Sequence, residues 1–421
     1  MSWMFWVGVL VFAIGLIISL ALHEAGHMWS AQAFKMKVTR FFIGFGPTLF
    51  SFRRGEIEYG VKAIPAGAFV KIVGMVPQDD DVAPEDEPRA MWRQALWKRT
   101  IVMGAGSAMH FALGTVLLWG TFAFIPFSDP ARADEVRPEV AAVTQCTTPK
   151  LEVRDGRQVL CDPATGTPSA AKQAGLQPGD VITAVNGTPV TGWGQMSELI
   201  RAAGGRSTTL AFERGGVAQT ATVTIPLAER VKQDSDVRTV EDITPDDIET
   251  VGVLGISPVI PKTVAGPAAA FGLTYHGVID MVVNTFESLR RIPEKIPLLW
   301  AAIVGEERDP ETPISVLGAT RLGGELVERQ EYAVALRLLV VLNFFIGIFN
   351  LLPLLPLDGG HIAIAWFERI RSWIYARLGR PDPGRVDYFK LMPLTYVVIL
   401  IFGAFTLLTL TADIVNPITL N

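Results

Sequence analysis

The chain has 421 residues, of which 49% are hydrophobic and only 19% charged, too apolar for an ordinary soluble multidomain protein. A net charge of −5 gives no electrostatic case for a nucleic-acid partner. Two cysteines, Cys146 and Cys161, exclude a Cys-based structural metal site, so any metal must use His and carboxylates.

Met1 to Leu22 carries no charged side chain and is long enough to span a bilayer. A cleaved signal peptide would need a positive N-terminal region, yet the first Lys or Arg is Lys35, so a retained first transmembrane helix is expected over 1–27. Its inner end reads His23-Glu24-Ala25-Gly26-His27. Histidines four apart lie about 40° from each other around a helix and can face one ion. Glu24 lies about 100° from His23, near enough to move a proton without being a ligand. H-E-x-x-H on a helix is the zinc hydrolase arrangement, with the Glu as general base. Ionisable residues in a span are costly to keep there and mark function.

The segment 28–99 holds eleven Lys and Arg, which makes it a cytoplasmic loop and puts the N-terminus outside. Residues 41–74 read as a membrane-associated β region, with a hairpin break at Arg54-Gly55. Within it, Ile64 to Gly74 is apolar enough to dip into the membrane or pack on the helices, whereas the acidic run Gln78 to Glu87 reads as a solvated loop. A second transmembrane helix is expected over 100–126. Its small residues Gly104 to Ala108 would let a neighbour approach closely. His110, inside that span, is either a hydrogen-bonded core residue or a polar group beside the metal site.

Residues 130–230 are soluble in character and extracytoplasmic. Ala170 to Ile182, with Pro178-Gly179-Asp180, and then Asn186-Gly187, resemble a PDZ domain of the bacterial type. A helix at 194–203 and strands near 207–213 and 217–225 complete it. Such a domain binds extended peptides by strand addition, or serves only as a spacer. Cys146 and Cys161 share this oxidising side. A disulfide between them would close a loop of roughly 15 residues and add about 3 kcal/mol; the alternative is two unrelated thiols.

Residues 231–333 form a linker with an amphipathic helix at 268–291, whose apolar stripe is Phe271, Tyr275, Val278, Val282, Phe286 and Leu289. His276 and Asp280 lie on its polar face and read as solvated. A third transmembrane helix is expected over 334–360 and a fourth over 393–413. The Arg-rich loop 361–392 between them is cytoplasmic and the C-terminus outside. The fold class is therefore a multi-pass α-helical membrane protein with four transmembrane helices, a membrane-associated β region and an inserted α+β PDZ domain.

Zinc needs a third protein ligand. The run Asn350 to His361 breaks a helix with Pro353, Pro356, Gly359 and Gly360 where the residues are still apolar, and Asp358 sits at the break. Asp358 shares the cytoplasmic end of the bundle with His27 and is the expected ligand; Asp413, at the outer end of the fourth span, cannot reach. Asn350 faces inward with Asn343 and either shares an oxyanion charge or ties helices together. His361 is assigned an outer position or no role.

Together the His23–His27 motif and Asn350 to Gly359 resemble the two motifs of the site-2 protease family of intramembrane zinc metalloproteases, in its PDZ-containing bacterial branch. Gly44-Phe45-Gly46-Pro47 and the 65–74 stretch fit that family's β region. There are two departures: Leu355 stands where the family usually has proline, and Gly106 to His110 stands where many members carry Gly-Pro-x-x-Asn. The resemblance implies Zn²⁺ on His23, His27 and Asp358, with Glu24 and Asn350 as catalytic residues. It implies a multi-pass bacterial plasma-membrane protein with both termini extracytoplasmic and the active site near the cytoplasmic side. Substrates would be single-pass membrane proteins such as pre-cut anti-sigma factors, cut within the bilayer, while the PDZ domain contacts substrate or regulator. The competing readings are an inactive membrane scaffold presenting a PDZ domain, and an ion transporter, which would show repeats.

Overall fold

The computed structural model describes residues 2–75, 82–128, 136–154, 157–158, 161, 166–232, 235 and 243–420. Of the expected loop from Gln78 to Glu87, residues 78–81 lie outside them. Two compact units emerge: 1–126 with 264–421, and the insert 127–263. Among the described residues four stretches are long and apolar enough to cross a membrane: Trp3–Ala33, Leu96–Phe124, Tyr332–Asn350 and Tyr388–Val415.

Helix α1 (Trp3–Ala33) buries Phe12, Leu16, Ser19, His23 and His27, a stripe at helical spacing, and exposes Trp3, Trp6, Leu10, Ile14 and Ile18 on the other side. The helix continues past the expected end at 27 because no breaker intervenes before Lys35, which takes a left-handed φ of 63°. Next come two long strands, β1 (Val38–Arg54) and β2 (Ile57–Ile72). Both bend, so they form four segments in the order 48–54, 57–61, 40–43, 68–72; the two outer pairings run antiparallel, while 40–43 and 57–61 advance in the same direction. Gly44 at one bend has φ +91°, and a Cβ there would meet the Ile64 carbonyl at 2.7 Å. The apolar 64–74 stretch is largely strand, with 68–72 on an edge. Helix α2 (Leu96–Phe124) follows, burying Val102, Met103, Gly106, Ser107 and His110.

In the insert, α3 (Ala170–Gln173) and α4 (Trp193–Ala202) accompany a four-stranded antiparallel sheet in the order Thr188–Pro189, Val181–Val185, Ser207–Arg214, Val217–Thr224. Asn186 and Gly187 both have positive φ, as a tight two-residue hairpin turn requires. Ile182, Met196, Leu210, Phe212 and Ile225 fill the core, each worth about 1.5–3 kcal/mol on burial. Cys146 and Cys161 are joined by a disulfide.

Helix α5 (Gly266–Ile303) departs from expectation in length and in facing. It runs through Pro293 and Pro297, since Leu299 and Ala302 are fully buried and packing outweighs the lost hydrogen bonds. Its packed side is made by Ala270, Thr274, Met281 and Thr285, whereas Phe271, Tyr275 and Phe286 are exposed. Helix α6 (Val316–Glu328), hidden in the expected linker, packs Gly323 and Gly324 against Phe12 and Phe5 of α1.

Helix α7 (Tyr332–Asn350) ends ten residues short of the expected 360. Pro353 and Pro356 lack N–H donors and disfavour helix at the residues before them, so 351–357 is a turn. The chain restarts as α8 (Asp358–Arg377), and α9 (Met392–Val415) closes the fold.

One ion pair gives the insert an acid dependence. Asp180 is fully buried and accepts from Arg214 Nε and Nη2, both at 2.8 Å, and from the Gln177 N–H. The Arg214 guanidinium holds its carboxyl below the usual carboxylate range. This stabilisation is complete above the unfolded value of about 3.9 and is lost as pH falls through the depressed folded value. Hydrogen exchange at Ile182 and Phe212 should therefore quicken as the full-length protein is acidified below about pH 4, and Arg214→Gln should flatten that dependence. An unchanged acid profile in Arg214→Gln would remove the pair as its cause.

Candidate metal centre

His23 and His27 project from the packed face of α1, one turn apart, with ring centres 4.8 Å from each other. Their Nε2 atoms are 3.2 Å apart, and Asp358 Oδ2 lies 3.3 Å from each. His27 Nδ1 is 2.7 Å from the Val102 carbonyl on α2; a carbonyl only accepts, so Nδ1 carries the proton and Nε2 keeps its lone pair. Asp358 Oδ2 is buried without a hydrogen-bond donor among the described residues. The ligand atoms of these three residues all lie within 4.8 Å of one another.

Two further features suit a cation here. Gly106 of α2 faces both imidazoles: a Cβ there would press on His27 Nε2 and lie 2.7 Å from His23 Nε2. Asp358 is fixed as the first residue of α8 by the packing of the next two positions. A Cβ on Gly359 would collide with the Leu351 carbonyl, and one on Gly360 would lie 2.6 Å from the Leu354 carbonyl carbon. An N₂O donor set of two imidazoles and one carboxylate is what zinc accepts while keeping a coordination position open.

Glu24 is not one of the three but lies beside them, within electrostatic reach of His23, His27 and Asp358. Its Oε2 accepts the backbone N–H of Val70 at 2.9 Å, on the 68–72 edge segment of β2. Asn350, half-buried at the last position of α7, has no side-chain hydrogen bond among the described residues. Asn343 instead is fully buried and joins Ser19 and His110. His361 Nδ1 faces the Tyr388 hydroxyl at 3.4 Å. His276 and Asp280 are both exposed on α5. Asp413 is held elsewhere, 2.7 Å from Arg308 Nη1 and 2.6 Å from the Ser315 N–H.

Three contributors escape a reading of the sequence: Ser19, the Val102 carbonyl and Gly106. Ser19 had a signal, standing four residues before His23 on the same face. The small-residue run around Gly106 announced a close approach, but what approaches is the imidazole pair.

The chain is similar to several known proteins. The profile of Peptidase family M50 matches residues 11–379. A zinc metalloprotease Rip1 of Mycolicibacterium smegmatis is 41% identical over 426 residues, covering 99% of each chain. The zinc metalloprotease Rip1 of Mycobacterium tuberculosis strain H37Rv is 41% identical over 423 residues, again covering 99% of each. More distantly, a probable chloroplastic membrane metalloprotease of Arabidopsis thaliana, ARASP2, is 25% identical over 94% of this chain and 78% of its own.

Gly106→Ala should fill the space between the imidazoles. The expected result is loss of stoichiometric zinc by elemental analysis with helix content retained by circular dichroism; zinc at the wild-type level would show that the cradle is not where metal sits.

Proposed function

The chain belongs to peptidase family M50, the site-2 protease family of zinc metalloproteases, and on that premise we propose that His23, His27 and Asp358 hold the zinc and Glu24 is the general base. The observation that carries this is the convergence of two Nε2 lone pairs and one donorless carboxylate oxygen from α1 and α8. Zinc, when bound, supplies Lewis-acid polarisation and makes water a nucleophile near neutral pH. Glu24 accepts the proton of the attacking water and returns it to the leaving amine. The Val70 N–H orients its carboxylate and ties it to the edge segment 68–72. A membrane substrate must unwind to expose its carbonyls, and this edge is suited to pair with the unwound strand. Asn350, at the end of α7 just before the turn that leads to Asp358, is assigned to oxyanion support.

Substrates of this reading are single-pass membrane proteins, pre-cut anti-sigma factors among them. The Lys and Arg of 28–99 and 361–392 support a cytoplasmic site in a plasma membrane, with both termini outside. The insert is assigned as a PDZ domain. Its sheet, the helix ended near Gly175 and the Asn186-Gly187 turn support this, as does a groove of about 730 Å³ between α4 and residues 252–258.

Reconstituted with a single-pass remnant, Glu24→Gln should bind zinc normally yet cleave about 10²–10⁴-fold more slowly. Asp358→Ala should lose the zinc itself. Stoichiometric zinc in Asp358→Ala, or full cleavage by Glu24→Gln, would sink the corresponding assignment.

A further inference from the structure

Ser19, His110 and Asn343, one each from α1, α2 and α7, form a second buried polar cluster beside the proposed ligands. Asn343 Nδ2 donates to the Leu339 carbonyl at 2.8 Å, so Oδ1 is the atom turned to the other two. Ser19 Oγ donates to that Oδ1 at 2.5 Å, which uses the hydroxyl's one proton. His110 Nδ1 lies 3.0 Å from both Asn343 Oδ1 and Ser19 Oγ. Neither oxygen has a proton left to give, so Nδ1 itself carries one and donates it. A neutral imidazole protonated on Nδ1 has a bare lone pair on Nε2. That Nε2 is buried and has no hydrogen-bond partner among the described residues.

His23 stands opposite, its ring centre 5.0 Å from that of His110. It turns Nε2 to His27 and Asp358, and its Nδ1 is likewise buried without a partner among the described residues. A metal-ligating imidazole is neutral and carries its proton on the other nitrogen, which needs an acceptor. For His27 that acceptor is the Val102 carbonyl. For His23 no carbonyl serves among the described residues, and the facing ring offers the orphan acceptor His110 Nε2, although the two atoms are not hydrogen-bonded to each other in this structure. The Cβ of His110 is itself held in place by α7, where a Cβ on Gly347 would come within 3.2 Å of it.

We infer that, when a cation holds His23 through Nε2, His110 Nε2 accepts the Nδ1–H of His23, making His110 a positioning residue that fixes the tautomer and tilt of the first ligand and thereby sets the metal affinity of the site. The inference rests on the reading of His23 as a ligand.

Zinc affinity, measured in detergent by competition with a chromophoric chelator, tests it without reference to proteolysis. His110→Asn keeps an amide where Nδ1 stands, and so the contacts with Ser19 and Asn343, but places nothing at Nε2. Its affinity should fall about 10- to 100-fold. His110→Gln returns an acceptor at the distance of Nε2 and should recover most of the loss. An Asn variant that binds zinc as tightly as wild type, or a Gln variant no tighter than the Asn one, overturns the inference. The wild-type protein offers a check that needs no variant, because it has only five histidines to resolve by ¹⁵N NMR. His110 should show a bare Nε2 whose resonance moves on zinc loading; a proton on Nε2 overturns the inference. His23→Ala separates the two levels. If it retains stoichiometric zinc, the ligand assignment falls; if it loses zinc while His110→Asn binds normally, only the role of His110 falls.

Discussion

Two imidazole nitrogens and a carboxylate oxygen brought within 3.3 Å of one another, inside an apolar helix bundle, set the terms for everything around them. Lone pairs that close repel, and a buried carboxylate without a donor is expensive unless a cation answers it. The surrounding structure spends its specificity on holding that arrangement. The periodicity of α1 puts both histidines on one face, and the Val102 carbonyl fixes the tautomer of one of them. Gly106 keeps side-chain volume out of the space between them, and the Gly359-Gly360 packing delivers Asp358 to the same depth.

The other polar groups of the bundle are kept from competing. Asp413, a carboxylate near the C-terminal end of α9, is occupied by Arg308 and the Ser315 N–H, with side chains 1% and 2% exposed for the Asp and Arg. That pair ties α9 to the connection before α6, and removing one partner of such a buried pair typically costs about 3–5 kcal/mol. Glu24 adjoins His23 in sequence and is held beside the ligand atoms, not among them, by the Val70 N–H, so one helix can present two kinds of polar group side by side. The sheet edge and the proposed base are thereby parts of one mechanical unit, joined by a single hydrogen bond.

How much of this was legible depended on the range of the interaction concerned. His23 and His27 could be read because a four-residue spacing is a local fact of helix geometry. Asp358 could be read because prolines and glycines broke a span where hydrophobicity continued. That Asp358 opens a new helix rather than closing the old one could not, since Pro353, Pro356, Gly359 and Gly360 mark a break without saying where the helix resumes, which the packing of Gly359 and Gly360 on the backbone of 351–355 decides. Helix α6 was hidden because Gly323 and Gly324 are poor helix formers, and their reason for being there lies in α1. Helix α5 outran its expected end because Leu299 and Ala302 gain more from burial than Pro293 and Pro297 cost. The β region was visible as strands, but its doubled register was not, and so neither was the edge that meets Glu24.

The polar residues of the bundle also form a graded series from the proposed metal centre outward. Asp358, His27 and His23 meet at one point; His110 faces His23; Asn343 and Ser19 fix His110. In a low-dielectric interior each member needs a partner of complementary donor or acceptor character, and water is not at hand to substitute. A polar side chain at one depth on α1 therefore obliges partners at that depth on α2 and α7. The constraint propagates until it reaches a group that satisfies itself on backbone, as Asn343 does on the Leu339 carbonyl. On this argument the residues beside a membrane metal site are determined less by the metal than by the protons its ligands must place. A histidine at position 110 is intelligible only when the nitrogen of His23 that faces away from the metal is counted too.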